Sequence, residues 1–147
     1  MRPTTNKYYF NILNVVAQRS PCLKRKLGAI LVKDNHIIST GYNGPSTGIK
    51  HCTKCLRENI PSGEGHSLVE CPACHAEMNA IIFAAIHGTS IQGSTLYISA
   101  APCFDCVKYI INAGIRKIII PENSKIIISV YDLLYEANIN IELFNGD

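Results

Sequence analysis

The feature that most constrains this 147-residue chain is the pairing of His75-Ala76-Glu77 with Pro102-Cys103-Phe104-Asp105-Cys106. Each segment stands at the start of an apolar run with helical spacing. Cys103 and Cys106 are three apart at a helix head, where unpaired backbone N–H groups and the positive dipole end favour thiolates and put both sulfurs on one face. His75, at the head of another predicted helix, offers a third ligand. Three protein ligands leave the fourth tetrahedral position to water, which a catalytic zinc requires and a structural one does not. The metal lowers the pKa of that water toward about 7. Glu77 lies too near His75 in sequence for a comfortable same-face ligand, but it can reach the water and carry its proton. A lone C-x-x-C would read as a redox pair or chance, and a lone His as a polar cap. The combination reads as a catalytic metal site.

The elements around these segments suit one α/β domain over residues 1–147, a length that buries a single ordinary core without disulfides. From Thr4 to Arg19, apolar residues recur at three- and four-residue spacing, predicting an amphipathic helix stopped by Ser20-Pro21. Leu27–Val32 and Ile37–Tyr42 read as a hairpin around Lys33-Asp34-Asn35-His36. A helix from Ala76 is expected to be buried on most sides and to end at a left-handed Gly88. Thr95–Ser99 is a predicted strand, Cys103–Ala113 a helix capped by Gly114, and Arg116–Ile120 an apolar strand. A helix from about Ser124 to Ala137 and a strand from about Asn140 to Phe144 follow. Such alternation predicts a sheet with helices on both faces.

Residues 43 to 74 have no sustained periodicity, and unstructured loops of that length are uncommon within a domain. Cys52-x2-Cys55 stands 15 residues before Cys71-x2-Cys74, a spacing used by four-cysteine structural zinc sites. A closed site there would order the insertion. The alternative is that some of these thiols are free and buried.

Charge excludes little. Lys plus Arg number 14 against 11 Asp plus Glu, a net +3 that suits a phosphate-bearing metabolite better than a nucleic acid. No stretch approaches the roughly 20 apolar residues that cross a bilayer, and MRPTTNKYYF has no secretory apolar core. A cytoplasmic protein is expected, in which seven cysteines stay reduced.

The H-x-E and P-C-x-x-C segments resemble the cytidine deaminase superfamily. Ser20-Pro21-Cys22-Leu23-Lys24-Arg25-Lys26-Leu27-Gly28-Ala29, Ser39-Thr40-Gly41-Tyr42-Asn43-Gly44 and His75-Ala76-Glu77-Met78-Asn79-Ala80-Ile81 narrow the likeness to its deoxycytidylate (dCMP) deaminase branch. The resemblance implies a three-layer α/β/α fold with a mixed five-stranded sheet. It also implies deamination of dCMP to dUMP for thymidylate synthesis, a homo-oligomer such as a hexamer, and dCTP or dTTP as effectors. In its terms Asn43 holds the sugar and backbone around Ala76 and Ser99–Ala101 reads the base. A cation among Lys24, Arg25 and Lys26 then meets the 5′-phosphate, although a Lys-Arg-Lys run reads equally well as solvated surface, and Asn43-Gly44 as a turn. The resemblance to relatives with an additional zinc implies a role for the cysteine corresponding to Cys22, which favours Cys22, Cys52, Cys55 and Cys71 for a second ion. Cys74, His51 and His66 are substitutes. Two readings compete with a dCMP enzyme: a deaminase of another base or of tRNA, and a zinc-binding interaction module with a vestigial core.

Overall fold

The structure, a computed structural model, describes residues 1–60 and 71–147. Its elements run α1 (Thr5–Gln18), β1 (Gly28–Lys33), β2 (His36–Tyr42), β3 (Gly44–Pro45), β4 (Ala73–Cys74), α2 (Ala76–Ile86), β5 (Thr95–Ile98), α3 (Phe104–Asn112), β6 (Lys117–Pro121), α4 (Ile128–Glu136) and β7 (Asn140–Phe144). Five strands form one mixed sheet in the order β2-β1-β5-β6-β7. β1 is antiparallel to both β2 and β5, whereas β5, β6 and β7 are parallel. This is the three-layer arrangement expected from the alternation of elements.

The two faces of the sheet bury different partners because strand side chains alternate. Ile30, Val32, Tyr97 and Ile119 face α1 and pack on its Tyr9, Phe10 and Leu13. Ala29, Leu31, Leu96, Ile98, Ile118 and Ile120 face the other way, toward α2, α3 and α4. Threonine 4 caps α1 by accepting from the Lys7 amide. Asp34 and Asn35 both take positive φ in the β1–β2 hairpin, as a two-residue turn between twisted strands demands. Among the described residues, no helix is long and apolar enough to cross a membrane.

Three local expectations change. Helix α2 is not buried on most sides: Ala76, Glu77, Ala80 and Ala84 form its inner face, while Ile82 and Ile86 are exposed. Small residues on that inner face let the helix approach β2 closely. Helix α4 begins at Ile128 rather than Ser124, because Ser124 closes a turn onto the Pro121 carbonyl and Ile127 is extended. The insertion also contains a pairing that periodicity could not reveal, Gly44 opposite Cys74 and Pro45 opposite Ala73. Its two ends are thereby clasped, which sets His75 beside Asn43-Gly44. His66 lies outside the described residues.

Candidate active site

The site forms where two helix heads converge. His75 is the N-cap of α2 and Cys103 the N-cap of α3, with Glu77 and Cys106 in the first turns that follow. Neither N-cap side chain makes a capping hydrogen bond, and the two turn toward each other. Helix α2 is positioned by β2: the Ser39 hydroxyl donates to the Ala80 carbonyl at 2.7 Å, and the Asn79 side-chain amide donates to the Tyr42 carbonyl at 2.7 Å.

His75 Nδ1 lies 3.4 Å from the sulfur of Cys103 and 3.4 Å from that of Cys106. All three ligand atoms fall within 4.8 Å of one another. Bond lengths of about 2.3 Å to sulfur and 2.0–2.1 Å to nitrogen, at a tetrahedral angle, would separate N from S by about 3.6 Å. The observed distances therefore fit zinc with little adjustment. The donor chemistry fits as well, since two sulfurs and an imidazole are ligands that zinc accepts.

Electrostatics reinforce the fit. The Cys106 thiol donates to Cys103 and, with His75 adding to the effect, draws the Cys103 pKa down to about 4. The same hydrogen bond, together with burial, pushes Cys106 up. Two sulfurs thus share one proton where a divalent cation can replace it. The His75 pKa is raised by its hydrogen bond to Cys103, against the opposing effect of burial. Glu77 is only 6% exposed, and burial raises its pKa above the ordinary carboxylate value.

The other candidate residues are placed less uniformly. Asn43 is buried: its side-chain oxygen accepts from the Ser20 hydroxyl at 2.7 Å and the Leu27 amide at 2.8 Å, and its nitrogen donates to the Arg25 carbonyl at 2.9 Å. It fixes the loop before β1 whatever else it does. Ala76 is wholly buried at the head of α2. The Ser99 hydroxyl joins the backbone of Gly28, accepting from its amide at 2.9 Å. Lys24 turns its ammonium onto the carbonyls of Arg57 and Ile60, whereas Arg25 and Lys26 are exposed. All seven cysteines are free, and Cys74 meets the Ser46 hydroxyl at 3.3 Å. Among the described residues, His75, Cys103 and Cys106 are the one group of three or more possible metal ligands. Within those described residues, Cys22, Cys52, Cys55 and Cys71 do not form a second such group.

A buried acid beside a His-Cys-Cys donor set, at two converging helix heads, has the make-up of a metal-dependent hydrolase. Residues 3–122 match the family model described as the cytidine and deoxycytidylate deaminase zinc-binding region. The chain belongs to that family. It is 35% identical over 128 residues to the deoxycytidylate deaminase of Mycobacterium phage D29, covering 84% of this chain and 98% of that one. The deoxycytidylate deaminase of Saccharomyces cerevisiae is 30% identical over 99% of this chain, which spans 46% of the yeast protein. A crystal structure of the dCMP deaminase of cyanophage S-TIM5, in complex with dCMP and dUMP, superposes with a TM-score of 0.80 at 30% identity, covering 98% of this chain and 99% of that one.

Proposed function

We propose that this chain hydrolyses dCMP to dUMP and ammonia at a zinc ion held by His75, Cys103 and Cys106, with Glu77 carrying the proton. The observation that carries the reading is the position of Glu77, buried two residues beyond an imidazole that stands 3.4 Å from both sulfurs. The relatives named above support the choice of dCMP, as does the family's own description.

Zinc, when bound, supplies a Lewis acid that makes water nucleophilic near neutral pH. Glu77 takes a proton as water adds to carbon 4 of the pyrimidine, and returns it to the exocyclic nitrogen as the carbon–nitrogen bond breaks and ammonia leaves. An acid that both accepts and donates works best with a pKa moved toward neutrality, and burial moves Glu77 in that direction. Asn43 has a second amide hydrogen to offer a sugar hydroxyl. The buried head of α2 at Ala76 and the segment Ser99–Ala101 supply rigid backbone against which a base can be read. A second zinc in the insertion, a homo-oligomeric assembly, nucleotide effectors and a cytoplasmic setting complete the proposal. The second zinc rests on cysteine spacing, and metal analysis of the purified protein separates one equivalent from two.

The decisive assay follows ammonia release from cytidine, deoxycytidine, dCMP, dCTP, adenosine and guanine in parallel. dCMP is expected to rank first. Deoxycytidine ranking above dCMP would overturn the assignment, and turnover of adenosine or guanine alone would move the enzyme to another base.

A further inference from the structure

Resting on the reading of dCMP as substrate and of Asn43 as its sugar contact, the geometry points to Ser20 as the positioning residue that lets the enzyme sense the 3′-hydroxyl, the one free hydroxyl on a 2′-deoxyribose 5′-phosphate. Asn43 stands beside the metal ligands. Gly44 pairs with Cys74 and Pro45 with Ala73, so the same antiparallel count carries Asn43 opposite His75. His75 keeps an extended backbone as the N-cap of α2 and so continues the line of β4. Residues directly opposite in such a ladder put their side chains on one face, with Cβ atoms about 4.5–5.5 Å apart.

The hydrogen bonds of the Asn43 carboxamide decide what it can offer there. Both lone pairs of its oxygen are filled, one by the Ser20 hydroxyl at 2.7 Å and the other by the Leu27 amide at 2.8 Å. Its nitrogen spends one hydrogen on the Arg25 carbonyl at 2.9 Å. A single N–H is left, so Asn43 can only donate, and a sugar hydroxyl must accept. Leu27 and Arg25 act through the main chain of the loop before β1. Ser20 acts differently: its hydroxyl lies 2.7 Å from the side-chain oxygen of Asn43 and 2.7 Å from the backbone carbonyl of the same residue, sharing one proton between them. One group bridging side chain and backbone holds the rotamer that aims the remaining N–H. Ser20 is itself fixed. It is only 2% exposed, it accepts from the Cys22 amide at 3.2 Å, and the neighbouring Pro21 ring closes on Gly44, where a Cβ would stand 3.0 Å from it.

The test compares kcat/KM for dCMP and for 2′,3′-dideoxycytidine 5′-monophosphate in the wild type, Ser20→Ala, Ser20→Cys and Ser20→Thr, with zinc content and melting temperature measured on each preparation. The wild type should prefer dCMP roughly 3- to 10-fold, the value of one hydrogen bond. Ser20→Ala should erase most of that preference through a higher KM for dCMP, with kcat nearly constant and the KM of the dideoxy analogue unmoved. Ser20→Thr retains the hydroxyl and should restore the preference. Ser20→Cys, similar in size but a weak donor, should behave as the Ala variant does, and it keeps the question answerable if the Ala variant folds poorly. Loss by the same factor for both substrates would make Ser20 structural and overturn the inference, as would an Ala variant with the wild-type preference. A wild type that deaminates both substrates equally well would also overturn it, by separating Asn43 from the sugar, while leaving dCMP as the substrate. Absence of dCMP turnover would instead remove the substrate assignment itself, and the role of Ser20 with it.

Discussion

Gly41 of β2 packs directly against the backbone of Ala76 at the head of α2, leaving no space for a Cβ between them. The amide of Ala80 closes the same space one turn further on. Helix α2 is therefore seated on β2 by contact with a residue that has no side chain, and His75 and Glu77 take their positions from that seating.

Substituting Gly41→Ala should accordingly act on both stability and chemistry. Backbone cannot yield as the end of a side chain can, so α2 must shift or β2 must bend, at a cost of about 1–3 kcal/mol. A lowered melting temperature together with reduced zinc affinity is the expected outcome. A variant with wild-type stability and metal content would mean that α2 is not seated as described.

Glu77→Gln removes the proton carrier while keeping its size and burial. Turnover should fall by roughly 10²- to 10⁴-fold, the usual contribution of a positioned acid–base group, with zinc still bound. Ammonia release and metal content, measured on the same preparation, check both halves. Full activity in this variant would leave the proposed mechanism without its acid.

His75→Ala separates the metal from the fold. Neither core cluster includes His75, so the sheet and its helices should persist. A ligand bound only to the native state stabilises by mass action, about 4 kcal/mol at a thousandfold excess over its dissociation constant. Adding a chelator should lower the melting temperature of the wild-type protein more than that of His75→Ala, whose remaining response reports the ion proposed for the insertion. An equal chelator effect on both proteins would place the stabilising ion elsewhere, in the insertion.

The parts of this architecture that were readable in the sequence depend on local spacing. Positive φ at Gly88 and Gly114 ends α2 and α3 where the apolar periodicity stops, and the hairpin turns at Asp34-Asn35 between two Ile- and Val-rich runs. His75, Cys103 and Cys106 were readable together because helix heads confine where their side chains can point. The direction of Lys24 was not readable, since it depends on where the Arg57–Ile60 turn comes to rest. The clasp between Gly44 and Cys74 was hidden for a similar reason: two-residue strands are too short to show a period. The small inner face of α2 was written in Ala76, Ala80 and Ala84. An apolar run that also holds Ile81, Ile82, Phe83 and Ile86 looks uniformly buried until its partner, the glycine of β2, is in view.

Tyr97 gives a prediction for the opposite face of the sheet. Its ring is 4% exposed, between Tyr9 and Phe10 of α1, and its hydroxyl donates to the Asn6 side-chain oxygen at 2.9 Å. Burial, with smaller effects from Tyr9 and Glu142, pushes its pKa up to about 12. The unfolded chain would ionise the same phenol near 10. A folded pKa above the unfolded one means the contribution is complete below about pH 10 and is lost as pH rises toward 12. Stability should therefore decline through that alkaline window, in step with phenolate absorbance. Tyr97→Phe should lose about 0.5–1.5 kcal/mol at neutral pH, for the missing hydrogen bond, and show a shallower alkaline decline. An alkaline profile unchanged by Tyr97→Phe would place the titrating group elsewhere, because removing the buried phenol removes the only proton through which this residue can link folding to pH.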